Sequence, residues 1–271
     1  MKFSIIIPFY NNGESLGILD VVLNDYQDDP EVEIIFIEDK GNDGDYFMLL
    51  NRVNGISNVK VLRNNINSGP ARTRINGIKE ALGEYLFFLD ADDGWCKNRA
   101  YEIYNICKSR NLNIIGGHAE VCDKFEFKQK RYENIKEENY IKPISIKDAI
   151  FFNPYSTSSV CVKKEIMLKH LFDENMRYAE DVDCWRRIIM LEGKAAKLSK
   201  SGSYLFKHAY LSGNGLSSNT LMMTKGANYS LLKILKNRRS TIKIKIYCII
   251  GLIFGLIKGI FREVRKMGKI L

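Results

Sequence analysis

The sequence contains no run of 18 apolar residues, which disfavours a standard transmembrane helix. It has no G-x-G-x-x-G, no G-x-x-x-x-G-K-[ST], no G-x-S-x-G and no H-E-x-x-H. A dinucleotide oxidoreductase, a P-loop NTPase, a typical α/β-hydrolase and a zincin therefore each lose their best evidence. Six cysteines are dispersed and none forms a C-x-x-C pair, so a zinc ribbon or thioredoxin-like site is excluded. Free, mostly core thiols in a reducing cytoplasm are the simplest reading. There is no internal repeat, and no Pro/Gly/Ser-rich linker divides the chain. Phe3 to Tyr10 is apolar but interrupted by Pro8. It is followed by the Asn11-Asn12-Gly13 turn rather than a small-residue cleavage site, so it reads as a buried first strand and not a secretion signal.

What is present is 271 residues at 45% hydrophobic and 27% charged, enough to bury a sizeable core. The net charge of +9 is unevenly placed. Residues 233–271 hold 11 Lys and Arg against one acid, Glu263, whereas residues 1–232 hold 30 bases and 31 acids. A near-neutral body argues against nucleic-acid binding, and a basic tail suggests an anionic partner surface.

The first part of the chain alternates strand and helix signals. Continuous apolar runs at Phe3–Ile7, Val32–Ile37, Val59–Leu62 and Tyr85–Leu89 predict buried strands. Helices are predicted around Glu14–Leu23 and over Ala71–Leu82, the second stopped by Gly83. This pattern implies βαβ units and a mainly parallel sheet, where ligands gather at the carboxyl ends of strands. Three such ends carry Pro8-Phe9-Tyr10, Glu38-Asp39 and Asp90-Ala91-Asp92. Further on, helices are predicted at Asn98–Arg110, Ser145–Phe152 and Asp181–Leu191. Strands are predicted at Asn113–Val121, Lys124–Tyr132, Thr157–Val162 and Tyr204–Lys207.

Asp90-Ala91-Asp92-Asp93 gathers three carboxylates that repel one another unless a cation arrives. Mg²⁺ or Mn²⁺ shared with a diphosphate suits such a set, the alternative being a solvated acidic turn. Glu38-Asp39 could accept from a nucleobase or ribose. The turn Asn67-Ser68-Gly69-Pro70, followed by Arg72 and Arg74, offers N–H groups and guanidinium to phosphate, or is simply a capped surface helix. Glu180-Asp181 either complements a helix dipole or supplies a general base. Of three histidines, His118 reads as structural and His170 as exposed. His208, before the Gly- and Ser-rich stretch 212–218, is the one candidate ligand.

Together these pieces resemble the family 2 glycosyltransferases with the GT-A fold. Ser4-Ile5-Ile6-Ile7-Pro8-Phe9-Tyr10-Asn11 is similar to the family's opening strand and P-x-Y-N turn. Glu38-Asp39-Lys40-Gly41-Asn42-Asp43 is similar to D-D-G-S-x-D, with Glu for the first Asp and Lys for the Gly. Asn67-Ser68-Gly69 through Arg74-Ile75-Asn76-Gly77 resembles N-x-G then R-N-x-G, with Ile75 departing from Asn. Asp90-Ala91-Asp92 resembles the D-x-D motif, and Glu180-Asp181 with Asp183, Trp185 and Arg187 resembles the E-D motif and its helix.

The resemblance implies a Rossmann-like, mainly parallel sheet with helices on both faces over residues 1–218, with a nucleotide-binding half (1–93) and an acceptor-binding half (94–218). Residues 219–271 would form a helical tail. It implies inverting transfer from a nucleotide-diphosphate sugar, UDP being the commonest nucleotide, to a hydroxyl of a glycan or lipid-linked acceptor in bacterial surface polysaccharide assembly. Pro8, Tyr10, Asp39, Arg74, Asp90, Ala91 and Asp92 would hold the nucleotide, Asp92 and His208 the Mn²⁺ or Mg²⁺, and Asp181 would be the base with Glu180 beside it. The Q-x-x-R-W motif of processive members is missing, which favours addition of one sugar or a short run. A nucleotidyltransferase would show a Gly-rich loop with Arg and Lys where Tyr10-Asn11-Asn12-Gly13-Glu14 stands, and a non-catalytic binding protein would not need Asp92 and Asp181.

In the tail, the apolar run Ile246–Ile257 is flanked by Lys243 and Lys245 before it and Lys258, Arg262, Arg265, Lys266 and Lys269 after it. Gly251, Gly255 and Gly259 recur every four residues. The expectation is an interfacial helix on an anionic membrane surface, which would place a cytoplasmic enzyme peripherally at the inner face of the cell membrane. The alternative is a terminal helix that covers the catalytic domain or a homodimer partner.

Overall fold

The computed structural model describes residues 1–132, 141–206 and 218–267, with side chains up to residue 259. Strand β1 (Phe3–Phe9) carries apolar residues at successive positions because both of its faces are covered. Phe3, Ile5, Ile7 and Phe9 point into one hydrophobic cluster, and Ile6 into another. The same alternation recurs in β2 (Val32–Glu38) and β4 (Tyr85–Phe88). The first cluster is closed by α1 (Leu16–Tyr26), α2 (Asp43–Val53) and α4 (Arg99–Ser109). The second is closed by α3 (Gly69–Glu80), α7 (Lys164–Lys169) and α8 (Glu180–Glu192).

The remaining elements are β3 (Val59–Arg63), β5 (Asp93–Trp95), β6 (Ile114–Gly116), β7 (Glu120–Val121), α5 (Lys124–Lys130), β8 (Ile141–Pro143), α6 (Ile146–Phe151), β9 (Cys161–Lys163), β10 (Ala195–Leu198), β11 (Ser203–Leu205), α9 (Thr220–Lys236) and α10 (Ile242–Met267). Eight strands form one sheet in the order β3-β2-β1-β4-β9-β6-β10-β8, and β5-β11-β7 form a small second sheet. In the large sheet the pairs β1/β2, β2/β3, β1/β4 and β6/β10 are parallel, while β9 runs antiparallel to β4 and β6, and β8 to β10. The chain winds from β1 outward to β2 and β3, then returns to place β4 on the other side of β1. The carboxyl ends of β1 and β4 therefore flank a switch point, the place where open α/β sheets bind ligands. This is the expected α/β architecture, followed by helices at the carboxyl end. Pro8 fits in a central strand because β4 pairs with β1 only as far as Ile6, so its missing N–H costs no β4 ladder bond.

Several expected elements are corrected. Residues 124–130 form a helix, not a strand. Phe125 and Phe127 alternate as in a strand, but Asp123 and Glu126 make a reciprocal capping box that fixes a helix start. The strand expected over 113–121 is split into β6 and β7 at Gly116-Gly117, where a Cβ on Gly116 would meet the Tyr155 ring at 2.9 Å. The strand expected over 157–162 begins instead as a 3-10 turn, Thr157–Ser159. Helix α2 was not anticipated; Asn42 caps it by accepting from the Asp45 N–H at 2.8 Å. His170 is partly buried, its Nε2 2.6 Å from Glu192 Oε1, rather than exposed, and His118 lies in the break between β6 and β7. All six cysteines are free and buried.

Helix α10 lies on α9 and α6 through its small residues. A Cβ at Gly251 would stand 2.8 Å from Ile150 Cγ2, and one at Gly259 3.2 Å from Thr224 Cγ2. Cys248 is fully buried in the same seam, with Ile150, Leu231 and Ile234. The glycine repeat is thus used against the protein's own helices. The opposite face of α10 carries Ile242, Ile246, Ile249, Ile250, Ile253, Phe254, Leu256 and Ile257, all exposed. Among the described residues no helix is long and apolar enough to cross a membrane.

Candidate active site

The ends of β1, β2 and β4 bring Tyr10, Asp39 and Asp90 to the same edge of the sheet. The side chain of Tyr10 is exposed there, Pro8 is half-buried and Ala91 is buried. Asp39 is buried and its carboxylate accepts from the Ser68 N–H at 2.8 Å, the Gly69 N–H at 2.8 Å and Asn64 Nδ2 at 2.7 Å. It caps the start of α3, so the N–H groups read from sequence as a phosphate cradle have an internal acceptor. Glu38 beside it is fully buried and pairs with Arg63 Nε at 2.7 Å.

Arg74 links the two acidic motifs. It projects from α3 and is buried; Nη2 donates to Asp90 Oδ1 at 2.7 Å and Nη1 to Glu180 Oε1 at 3.0 Å. Burial opposes its charge, but Asp90 and Glu180 beside it hold its proton more firmly than in water. Its Nε is buried without a partner. Arg72, the other arginine of the segment, pairs with Glu174 at the surface. Beside the nucleotide role expected from sequence, Arg74 joins Asp90 to Glu180 across 90 residues of chain.

Asp90 also donates its backbone N–H to Ser158 Oγ at 3.1 Å. That hydroxyl donates to Asp93, which is buried and sits at the start of β5. Burial, then the charge of Asp90, pushes the Asp93 carboxyl well above the usual carboxylate range. Asp181 accepts from Thr157 Oγ1 at 2.8 Å on Oδ2 and from the Val182 N–H at 2.7 Å on Oδ1. The helix start that carries it is set by Ala179, a non-glycine residue at φ 57°. Thr157 and Ser158 are not among the candidates that the sequence offers. The signal is Ser156-Thr157-Ser158-Ser159, four successive hydroxyl residues of which three fall inside the expected strand, since such side chains compete for backbone partners and favour turns.

Burial, then the neighbouring Asp181 charge, pushes the Glu180 carboxyl up to about 7 despite Arg74. A carboxyl raised in the folded state binds more protons folded than unfolded between its ordinary value and about 7. This group therefore lowers stability as pH rises through that window. Glu180→Gln is expected to reduce the loss of stability between pH 5 and pH 7, read by urea unfolding at the two pH values; an unchanged difference would contradict the assignment.

The described residues contain no group of three or more His, Cys, Asp and Glu arranged to hold a metal. Asp90 and Asp92 nevertheless bring carboxylate oxygens, hard donors, to one strand end, Asp90 with one oxygen on Arg74. Such a pair fits a divalent cation that takes its other ligands from diphosphate and water. His208 lies outside the described residues.

Comparison with known proteins agrees with this arrangement. The sequence profile described as Glycosyl transferase family 2 matches residues 4–174. The chain is 36% identical over 119 residues to the poly(ribitol-phosphate) beta-N-acetylglucosaminyltransferase TarP of Staphylococcus aureus, covering 43% of this chain and 36% of that protein. It is 26% identical over 258 residues to the cholesterol galactosyltransferase of Borreliella burgdorferi, covering 88% of this chain and 68% of that one. The chain spans only about a third and a fifth of the length of TarP and of a Bacillus spizizenii poly(ribitol-phosphate) beta-glucosyltransferase. In fold, it superposes on S. aureus TarS 1-349 in complex with UDP-GlcNAc with a TM-score of 0.70 at 18% identity, over 93% of this chain and 70% of that one. A mannosyltransferase from Pyrobaculum calidifontis in complex with GDP-Man and Mn2+ gives 0.66 at 12% identity, over 94% and 73%. With the switch-point crevice, the D-x-D strand end and the E-D helix assembled in one place, and with the profile covering most of the chain, the protein belongs to glycosyl transferase family 2.

Proposed function

We propose that this chain is an inverting, metal-assisted hexosyl- or N-acetylhexosaminyltransferase that moves a sugar from a UDP-sugar to a hydroxyl of a glycan or lipid-linked acceptor in bacterial surface polysaccharide assembly. The observation that carries the reading is the Arg74 bridge, which holds Asp90 and Glu180 on one guanidinium and so brings the donor motif to the base motif. The nucleotide lies against Pro8, Tyr10, Asp39, Arg74, Asp90, Ala91 and Asp92. Asp181 takes the acceptor hydroxyl proton as its oxygen bonds to the anomeric carbon, and the bond from that carbon to the diphosphate breaks on the opposite face. One base suffices, unlike the carboxyl pair of a glycoside hydrolase. With Asp92 and His208 as protein ligands, a bound Mn²⁺ or Mg²⁺ would neutralise charge on the departing nucleoside diphosphate. Arg74 keeps Asp90 and Glu180 from repelling each other while the donor is absent. A hydrolysis and transfer screen over UDP-, GDP- and dTDP-sugars, with Mn²⁺ and with EDTA, tests the reading. UDP-sugar turnover abolished by EDTA is expected, and inertness toward every donor would overturn it.

The same reading places the enzyme peripherally on an anionic membrane, at the inner face of the cell membrane. Eight large apolar side chains of α10 between residues 242 and 257 stay exposed on the face turned away from α9. Lysines lie within that stretch at 243 and 245 and just after it at 258, and further bases follow in sequence. Each base near such a surface contributes about 1 kcal/mol, added to apolar burial in the headgroup boundary. Cutting the chain near Asn237 would leave α9 in place but uncover Leu231 and Ile234, so point changes on the outer face are the cleaner test. Ile246→Asp with Ile253→Asp is expected to abolish sedimentation with anionic liposomes while UDP binding persists. Equal sedimentation of both proteins would sink the membrane assignment.

A further inference from the structure

The two halves of the site meet on one short turn. Thr157 Oγ1 donates to Asp181 Oδ2 at 2.8 Å, and the next residue, Ser158, receives the Asp90 N–H at 3.1 Å and donates to Asp93. All three residues of the turn are buried. Its backbone is fixed from several directions. Trp95 Nε1 donates to the Ser158 carbonyl at 2.7 Å, Ser203 Oγ to the same carbonyl at 2.8 Å, and the fully buried Arg99 to the Ser159 carbonyl at 2.6 Å. Ser159 Oγ accepts from the Gly117 N–H at 2.9 Å and donates to the Gly117 carbonyl at 2.7 Å. A turn held at its carbonyls and hydroxyls cannot tilt without breaking several buried hydrogen bonds, each costly to leave unmade.

We propose that Thr157 and Ser158 are positioning residues that set the acceptor base and the donor motif in register with each other. The inference rests on reading Asp181 as the base. A carboxylate on the first turn of a helix can rotate about its side-chain bonds. Here one oxygen is held by the Val182 N–H and the other by the Thr157 hydroxyl. Each oxygen has two lone pairs, so both holds leave acceptor capacity for a substrate hydroxyl. Fixing the carboxylate plane in advance removes orientational freedom that the transition state would otherwise have to freeze. Ser158, one residue away on the same rigid turn, fixes where β4 hands over to the Asp90–Asp93 segment. The separation of base and donor is thereby set by a single peptide unit rather than by two independent loops.

The two hydroxyls should separate kinetically. Thr157→Val keeps the shape and removes the donor. It is expected to lower kcat for transfer by roughly tenfold to a hundredfold, the range for a lost hydrogen bond to a charged group, with donor KM and UDP affinity unchanged. Thr157→Ser, which returns the hydroxyl, should restore most of the rate. Ser158→Ala should act on the donor side, raising donor KM more than it lowers kcat. Thr157→Ala supplies the same comparison should the valine variant fail to fold. Wild-type kcat in Thr157→Val or Thr157→Ala, a serine variant as slow as the valine one, or a parallel loss of UDP affinity would overturn the proposal. Its failure is distinct from failure of the transferase reading, in which the unmodified enzyme would itself be inert toward every donor, and the inference would fall with it.

Discussion

Asp181→Asn is expected to lower transfer to acceptor by about 10²-fold or more, the contribution of a lost general base, while UDP binds as tightly as before. Asparagine preserves the size of the side chain; its one oxygen can still accept the Val182 N–H, and its NH₂ then faces Thr157 Oγ1, whose hydroxyl can turn to accept from it. What it loses is the capacity to take a proton. The measurement is transfer under saturating donor, set beside calorimetry with UDP. Parallel loss of UDP affinity would move Asp181 into the donor site. The fold makes the first outcome the expected one, because Asp181 is held by the Thr157 turn and α8, whereas the strand ends proposed to face the nucleotide are those of β1, β2 and β4.

Asp92→Asn is expected to remove most of the divalent-metal-dependent turnover and leave the fold intact. Asp90 is engaged by Arg74 and Asp93 is buried against Ser158. Asp92 is the carboxylate of this segment to which the proposed function gives the metal. Titration of activity with Mn²⁺ in the variant and in the unmodified enzyme checks this. A loss of only a few-fold, on the order of 1 kcal/mol, would show that Asp92 is not a principal ligand. His208→Ala should weaken metal dependence less severely.

Strand ends were readable because both faces of β1, β2 and β4 are covered, which turns them into continuous apolar runs whose last residues stand out by their polarity. Glu38-Asp39 and Asp90-Ala91-Asp92 were found in this way. Less legible were features decided by partners far along the chain. Nothing local to Arg74 reveals that its two hydrogen-bonding partners are Asp90 and Glu180. Nor does anything local to Asp39 show that it also accepts the Ser68 and Gly69 N–H groups at the start of α3. The segment 124–130 alternates like a strand, and only the reciprocal cap at Asp123 and Glu126 shows otherwise. The Thr157 turn was hidden by the β-branched and apolar residues Val160 and Val162 that follow it in the same run.

Helix α9 rests on the residues that lead into Glu180. A Cβ on Gly226 would collide with the Tyr178 carbonyl oxygen, so the two backbones touch with nothing between them. Lys233 Nζ reaches Asp173 at 2.7 Å on the approach to α8 and Asp183 at 2.8 Å within it. Arg186 Nη1 from α8 donates to the Ala227 carbonyl at 2.9 Å. During synthesis the proposed nucleotide crevice of β1, β2 and β4 can form from the first third of the chain, but these supports for the α8 start are made only once α9 has followed. A growing chain would therefore pass through a stage in which the nucleotide crevice is built and the support for the base is not. The first turn of α8, with Glu180 and Asp181, is thus completed by a helix that begins some forty residues further along the chain, after the strand ends and turns it must face have been made.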